Sequence, residues 1–182
     1  MWFALVLALG VTAGAASAQD ADRGSWWAVG VGAGGTRLTC DFCDAARDVG
    51  GSVDFAMGLR AGAQGRLGIE VGGWSHHQED VRESVLRAGV VGQLHPRPGS
   101  GLHLIGGLGW SGYRASDLAS DVVRVSLGVG WDLPIPVGSR WTVGNSLVLD
   151  AASFGRLRSG ETSVAGEVGF SVLRFGAYVR RR

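Results

Sequence analysis

Few side chains in this sequence are of types that carry chemistry. Cys40 and Cys43 are its only cysteines, in Leu38-Thr39-Cys40-Asp41-Phe42-Cys43-Asp44. Dithiol redox centres, zinc half-sites and tight disulfides all use that Cys-x-x-Cys spacing. The segment Ser75-His76-His77-Gln78-Glu79-Asp80 brings a hydroxyl, two imidazoles and two carboxylates together. A nucleophile needs its base within hydrogen-bond reach, and neighbouring residues of a strand point to opposite faces, so Ser75 and His76 diverge if the strand reaches them. His103 has neither a hydroxyl nor a carboxylate beside it in the sequence. Imidazole and thiolate also bind metals, and Cys40, Cys43, His76 and His77 form a conceivable composite set if all four lie at one end of the fold. Gly30-Val31-Gly32-Ala33-Gly34-Gly35 has the look of a dinucleotide fingerprint, yet no helix follows it, and that chemistry requires one.

The elements that position these residues depend on where the chain resides. Residues 1–18, MWFALVLALGVTAGAASA, carry no charge, run apolar from Trp2 to Val11 and end in the small-x-small triplet Ala16-Ser17-Ala18. That is the pattern of a secretory signal peptide cleaved before Gln19, and the apolar run falls short of the roughly 20 residues of a membrane helix. The expected organisation is therefore a cleaved segment, 1–18, and one domain, 19–182. An exported compartment permits disulfides.

Composition narrows the class. A formal net charge of +1 supplies no electrostatic argument for nucleic acid. There are 32 glycines, 7 tryptophans, 46% hydrophobic and only 18% charged residues, and no lysine. Interior glycine costs a helix about 1 kcal/mol relative to alanine, so this composition argues for strands. Alternation supports them: in Arg66 to Trp74, Leu67, Ile69 and Val71 share one face, while Gly68, Glu70 and Gly72 share the other. Eight such segments follow one another, at 26–38, 53–61, 66–75, 84–94, 101–112, 122–133, 140–150 and 162–175. Each is close to the roughly 9–11 residues with which a tilted strand crosses a bilayer. Short Gly- or Pro-rich connections alternate with longer polar ones near 39–52, 76–83, 113–121 and 151–161. Short periplasmic turns and longer outer loops are the outer-membrane arrangement.

The fold expected is all-β, an eight-stranded antiparallel up-and-down transmembrane barrel. Trp26, Trp27, Trp131 and Trp141, with Phe175 and Tyr178, fall at the inner strand ends. Trp74 and Trp110, with Phe55, Tyr113 and Phe154, fall at the outer ends. Both sets suit aromatic girdles at the two membrane interfaces. Hydrocarbon offers a free sheet edge no partner, so the first strand must pair with the last. Eight strands leave an interior that side chains can fill. The inward positions are mostly Gly, Ala and Ser, with Asp54, Arg60, Glu70, Arg87, Arg124, Asp132 and Glu167 among them and Arg174 a further cation. Buried charges persist when paired, so Glu70, Arg87, Arg124 and Glu167 are expected to form ion pairs across a plugged lumen.

Taken together, the signal segment, the eight alternating segments, the girdles and the charged interior resemble the small outer-membrane β-barrel proteins of Gram-negative-type bacteria, the OmpA-like transmembrane-barrel group. WWAVGVGAGG followed by CDFC, then IEVGGW and LHPRPGSGLHLIGGLGWSGY, is similar to exported barrels with a cysteine pair after the first strand. The resemblance implies an outer-membrane location and a lipid and lipopolysaccharide environment reached through the insertion machinery; it implies no reaction. Barrels of this group commonly end on an aromatic residue, whereas this chain continues past Phe175 and Tyr178 to Arg180-Arg181-Arg182, so either a short tail follows strand eight or the insertion signal is atypical.

The functional expectation is a monomeric, non-enzymatic barrel without cofactor, structural in the envelope or presenting its outer loops to a surface partner. A narrow pore for ions or small solutes is the alternative. Lipid A modification, with a His and a Ser near the outer rim, is a second. In the outer loop of such a barrel Cys40 and Cys43 favour a local disulfide, with metal binding as the reading to exclude.

Overall fold

The computed structural model describes residues 24–39, 47–78, 81–133, 140–160 and 162–181. Eight strands run in chain order: β1 (Ser25–Thr39), β2 (Asp48–Ala61), β3 (Gly65–Gln78), β4 (Val81–Leu94), β5 (Leu102–Ala115), β6 (Leu118–Asp132), β7 (Trp141–Ser159) and β8 (Thr162–Arg181). Each pairs antiparallel with the next. β8 returns to β1 from Trp27↔Arg181 to Thr39↔Gly169, closing the barrel and leaving no free edge. An even strand number puts the ends of β1 and β8 on the same side. We call that the terminal end and the other the distal end.

Period-two alternation decides which side chains face which solvent. Val123, Val125, Leu127, Val129 and Trp131 of β6 are exposed, whereas Val122, Arg124, Ser126 and Asp132 are buried. The same inversion runs round the barrel: Val29, Val31, Val53, Leu67, Ile69, Val90, Leu108, Leu149, Leu173 and Phe175 all lie on the outer wall. A continuous apolar exterior around an interior that holds buried charge is the reverse of a water-soluble barrel and matches a hydrocarbon solvent. Among the described residues no helix is long and apolar enough to cross a membrane; the crossing elements are strands.

The strands outrun their expected bounds at the distal end. β5 and β6 join through Ser116 and Asp117 alone, and β3 continues to Gln78 and β7 to Ser159, while β8 starts at Thr162 as expected. These polar stretches were expected as loops. Backbone pairing begun in the wall simply continues as a hairpin ribbon, since polar side chains suit a sheet wetted by water. Ser116 takes a left-handed φ of 49° in its tight connection, and Gly160 a φ of 59° in the β7–β8 connection. Register breaks between Ala119 and Val123 and between Ala152 and Leu157 bend this distal ribbon. At the other extremity β8 runs to Arg181, so Arg180 and Arg181 belong to the strand and not to a tail.

Candidate functional site: the occluded lumen

The distal layer of the interior is apolar. Trp74, Val85, Tyr113, Val122, Leu157, Val168, Phe170 and Val172 are buried against one another, with Leu38 and Leu118 packed on them. Trp74 Nε1 donates to the carbonyl of Gly34 at 2.8 Å, which holds the indole across the barrel. The Tyr113 and Phe170 rings sit 6.2 Å apart. Inward-facing glycine opposite bulky side chains makes this possible: β1 supplies Gly34 where β3 and β8 supply Trp74 and Arg174, and Gly30 where β8 supplies Tyr178.

Beneath lies a layer of charge. Asp150 (β7) accepts from Arg124 Nη1 at 2.9 Å (β6), from Arg174 Nε at 2.8 Å (β8) and from Ser126 Oγ at 2.6 Å, and Arg87 Nε (β4) lies 3.8 Å away. Arg124 Nη2 reaches Glu70 at 2.5 Å on β3. Arg174 Nη1 reaches Asp54 at 2.8 Å on β2, and Arg87 completes the ring by pairing with Asp54. Three carboxylates and three guanidiniums thus tie six of the eight strands together. Charge-assisted bonds of this kind offset desolvation only when both partners are present. Gly72 shows how tightly the space is used: a Cβ there would stand 2.3 Å from Asp54 Oδ1 and 2.7 Å from Arg87 Nη2.

Below that layer a cavity of about 90 Å³ is lined by Asp54, Glu70, Gln93, His103, Ser126, Arg174, Tyr178 and Arg180, among others. A second polar cluster closes the terminal end. Asp132 accepts from Arg180 and from the Tyr178 hydroxyl. His95 Nε2 lies 3.8 Å and His103 Nδ1 4.0 Å from its carboxylate. The two imidazoles stack with centroids 5.0 Å apart. Arg66 donates to His95 at 3.1 Å and to Gln93 at 3.3 Å, while Arg180 also donates to Gln93 at 3.0 Å. Burial, with Arg66 beside it, pushes the His95 imidazole below its usual range.

The residues singled out from sequence fall as follows. Glu70, Arg87 and Arg124 meet in the charge layer, though Arg87 pairs with Asp54 and Asp150 and not with Glu70. The side chain of Glu167 lies outside the described residues, as do Cys40 and Cys43. Asp150, the hub, was missed because it was read as the last residue of its strand. Val143, Leu147 and Leu149 alternate outward, and that parity places Asp150 inside. Two tryptophans assigned to the girdles are corrected: Trp26 and Trp74 are each 1% exposed and point into the barrel. Position along a strand suggested an interface, but alternation decides the face, and Trp74 shares parity with Glu70 and Gly72. Tyr113 and Tyr178 turn inward for the same reason. Trp110, Trp131 and Trp141 are exposed at 42%, 53% and 45%, and Trp27 packs edge-on against Trp141 at 5.3 Å, so these four do face outward near strand ends.

Among the described residues, the distal histidines are not brought together with Ser75. His76 stacks on Trp74 at 6.2 Å and contacts the Val49 carbonyl at 2.7 Å, while Ser75 takes the opposite face, as its parity requires. His77 is exposed.

No family model matches the sequence, and no curated protein matches it. Several solved structures share its fold. Ail, the attachment invasion locus protein of Yersinia pestis, superposes with a TM-score of 0.57 at 10% identity over 86% of this chain and 98% of its own. Its complex with the heparin analogue sucrose octasulfate superposes at 0.52 and 11% identity, again over 86% and 98% of the two chains. Neisserial surface protein A gives 0.53 at 16% identity over 86% of this chain and 98% of its own. At these identities the likeness establishes the architecture: this chain has the closed eight-stranded fold of the outer-membrane barrels.

Proposed function

We propose that this chain is an exported, monomeric outer-membrane barrel whose lumen is sealed and whose work is done at its distal rim, by anchoring in the envelope and by contact with surface partners. The observation that carries the reading is the stack inside the wall, an apolar layer over a closed ring of ion pairs over a polar terminal cluster. A path for solute would have to cross both an apolar layer and a set of paired charges. The alternative, a narrow pore, needs the apolar layer to move aside. No catalytic role is proposed, because Ser75 and His76 take opposite faces of β3.

Residues 1–18 act as the cleaved export signal in this reading, with the insertion machinery assembling residues 19–182. Cys40 and Cys43, carried on the first distal connection, form a local disulfide in the oxidising exterior. Lipopolysaccharide is the lipid partner. Arg37, Arg47, Arg82, Arg114, Arg156 and Arg158 are all exposed near the distal strand ends. Of the described carboxylates nearby, Asp121 pairs with Arg114, Glu83 is engaged with the inward Tyr113, and Asp48 and the exposed Asp117 share the rim. Such a rim faces phosphate groups above an apolar wall. That Ail binds a sulfated sugar analogue is in keeping with this chemistry for a barrel of the same shape.

Cell fractionation with heat-modifiable electrophoresis tests the address. The protein should pellet with outer membranes and migrate faster unboiled than boiled. Recovery in the soluble periplasmic fraction would contradict the reading.

A further inference from the structure

The terminal end of the barrel is cationic. Among the described residues it carries Arg60, Arg66, Arg97, Arg140, Arg180 and Arg181, against the single carboxylate of Asp132, which pairs with Arg180. The flanking sequence, with Asp20, Asp22, Arg23 and Arg182, adds no net side-chain charge. The distal rim differs, since Asp48, Glu83, Asp117 and Asp121 sit among its arginines.

One of the terminal arginines faces outward. On β8 the outer face runs Leu173, Phe175, Ala177, Val179 and Arg181, all exposed, whereas Arg174 and Arg180 are buried inside. Arg181 stands opposite Trp27 of β1 and opposite Trp141 of β7, and residues directly opposite in an antiparallel pair share a face. β1 and β7 flank β8 and so lie two strand spacings apart, about 10 Å. The two indoles nevertheless meet edge-on at 5.3 Å, so they lean toward each other over the strand that carries Arg181. One level further in, Val29, Val179 and Val143 stand side by side in the same register and continue the wall as exposed apolar side chains. A guanidinium at the margin of an apolar wall, level with paired indoles, is placed where lipid headgroups meet acyl chains.

We infer that Arg181, Trp27 and Trp141 form a binding site on the outer wall for an anionic phospholipid of the leaflet at the terminal end. The guanidinium fork matches two oxygens of one phosphate, the indoles flank the headgroup, and the acyl chains run down the valines. The exposed Arg97 and Arg140 add positive potential at the same end, which favours a headgroup of net negative charge over a zwitterionic one. A lipid fits this place better than an acidic polymer of the aqueous side, because Arg181 lies on the lipid-facing wall and not in the mouth. The inference rests on the reading of the chain as a membrane barrel, and adds to it a lipid in the leaflet opposite lipopolysaccharide.

The test uses the full mature barrel in detergent, with its fold verified by heat-modifiable migration. Phosphatidylglycerol and phosphatidylcholine of matched acyl chains are offered in equal amounts, and retained lipid is read by native mass spectrometry. Phosphatidylglycerol should be retained over phosphatidylcholine by about five-fold in the wild type and in the distal variant Arg37→Gln, and the two should approach parity in Arg181→Gln. If Arg181→Gln fails to fold, the Trp27→Leu/Trp141→Leu variant decides, with a weakened preference expected. Equal retention in the wild type, a preference that persists in folded Arg181→Gln, or its loss to excess inorganic phosphate at matched ionic strength would overturn the inference. So would Arg181-dependent binding of peptidoglycan sacculi in place of lipid. A wild-type chain that never reaches the fast-migrating form would overturn the barrel reading along with it, whereas the outcomes on folded protein concern the lipid site alone.

Discussion

Asp150 carries more of the interior than any other single side chain, because Arg124 and Arg174 bond to it directly and Arg87 lies close by. Replacing it with alanine leaves those guanidiniums without their shared counter-ion. Removal of one partner from a buried ion cluster costs about 3–5 kcal/mol, and Asp150→Ala is expected to lose that much in urea unfolding of the lipid-reconstituted barrel. The distal hairpins offer a gentler case. Asp117, fully exposed in the β5–β6 connection, accepts from the Ser159 hydroxyl at the end of β7, which holds its carboxyl below the usual range. A depressed carboxylate pKa means that the tie is present above the ordinary value and is lost as pH falls through the lowered one. Amide protection factors at the tips of the β5–β6 and β7–β8 hairpins, corrected for the intrinsic pH dependence of exchange, should therefore fall on acidification, and Asp117→Asn should show low protection at every pH.

At the scale of elements, alternation made the strands legible, and with them closure, the apolar exterior and the charged interior. Leu67, Ile69 and Val71 against Gly68, Glu70 and Gly72 is a pattern that only one wall orientation satisfies. What alternation did not reveal was how far the strands run, since Tyr113 to Asp121 has the composition of a loop but pairs as a hairpin with a two-residue connection. Nor could sequence spacing bring His95, His103 and Asp132 together. Those contacts depend on the registers of β4, β5 and β6, and register across long hairpins follows from turn geometry that local composition leaves open. Trp26 and Trp74 teach the reverse lesson: their inward parity was readable and was overridden by their place near strand ends. The two faces of one strand should answer differently to mutation. Leu127 is 66% exposed at mid-strand, so Leu127→Arg should cost roughly 2–4 kcal/mol in lipid vesicles and far less in a detergent that solvates the charge. Gly72→Leu, on the inner face, should fail to reach the fast-migrating form in either medium, because its side chain would occupy the space of the Asp54–Arg87 pair.

For the molecule as a whole, the central claim is that the barrel spans the membrane yet passes nothing. Its contribution to the envelope then rests on the outer wall and the distal rim. The wall fits hydrocarbon, the rim carries both guanidiniums and carboxylates, and the interior is spent on packing and ion pairing. A stiff closed cylinder presents its hairpins in a fixed arrangement, which suits contact with a surface partner better than transport. Single-channel recording of the purified barrel in planar bilayers tests this most directly. The account predicts a silent membrane for the wild-type protein, with ion-conducting steps appearing only when the apolar layer is thinned, as in Trp74→Ala combined with Phe170→Ala. Stable conductance steps in the wild-type protein that vanish on replacing Glu70 or Arg124 would contradict it.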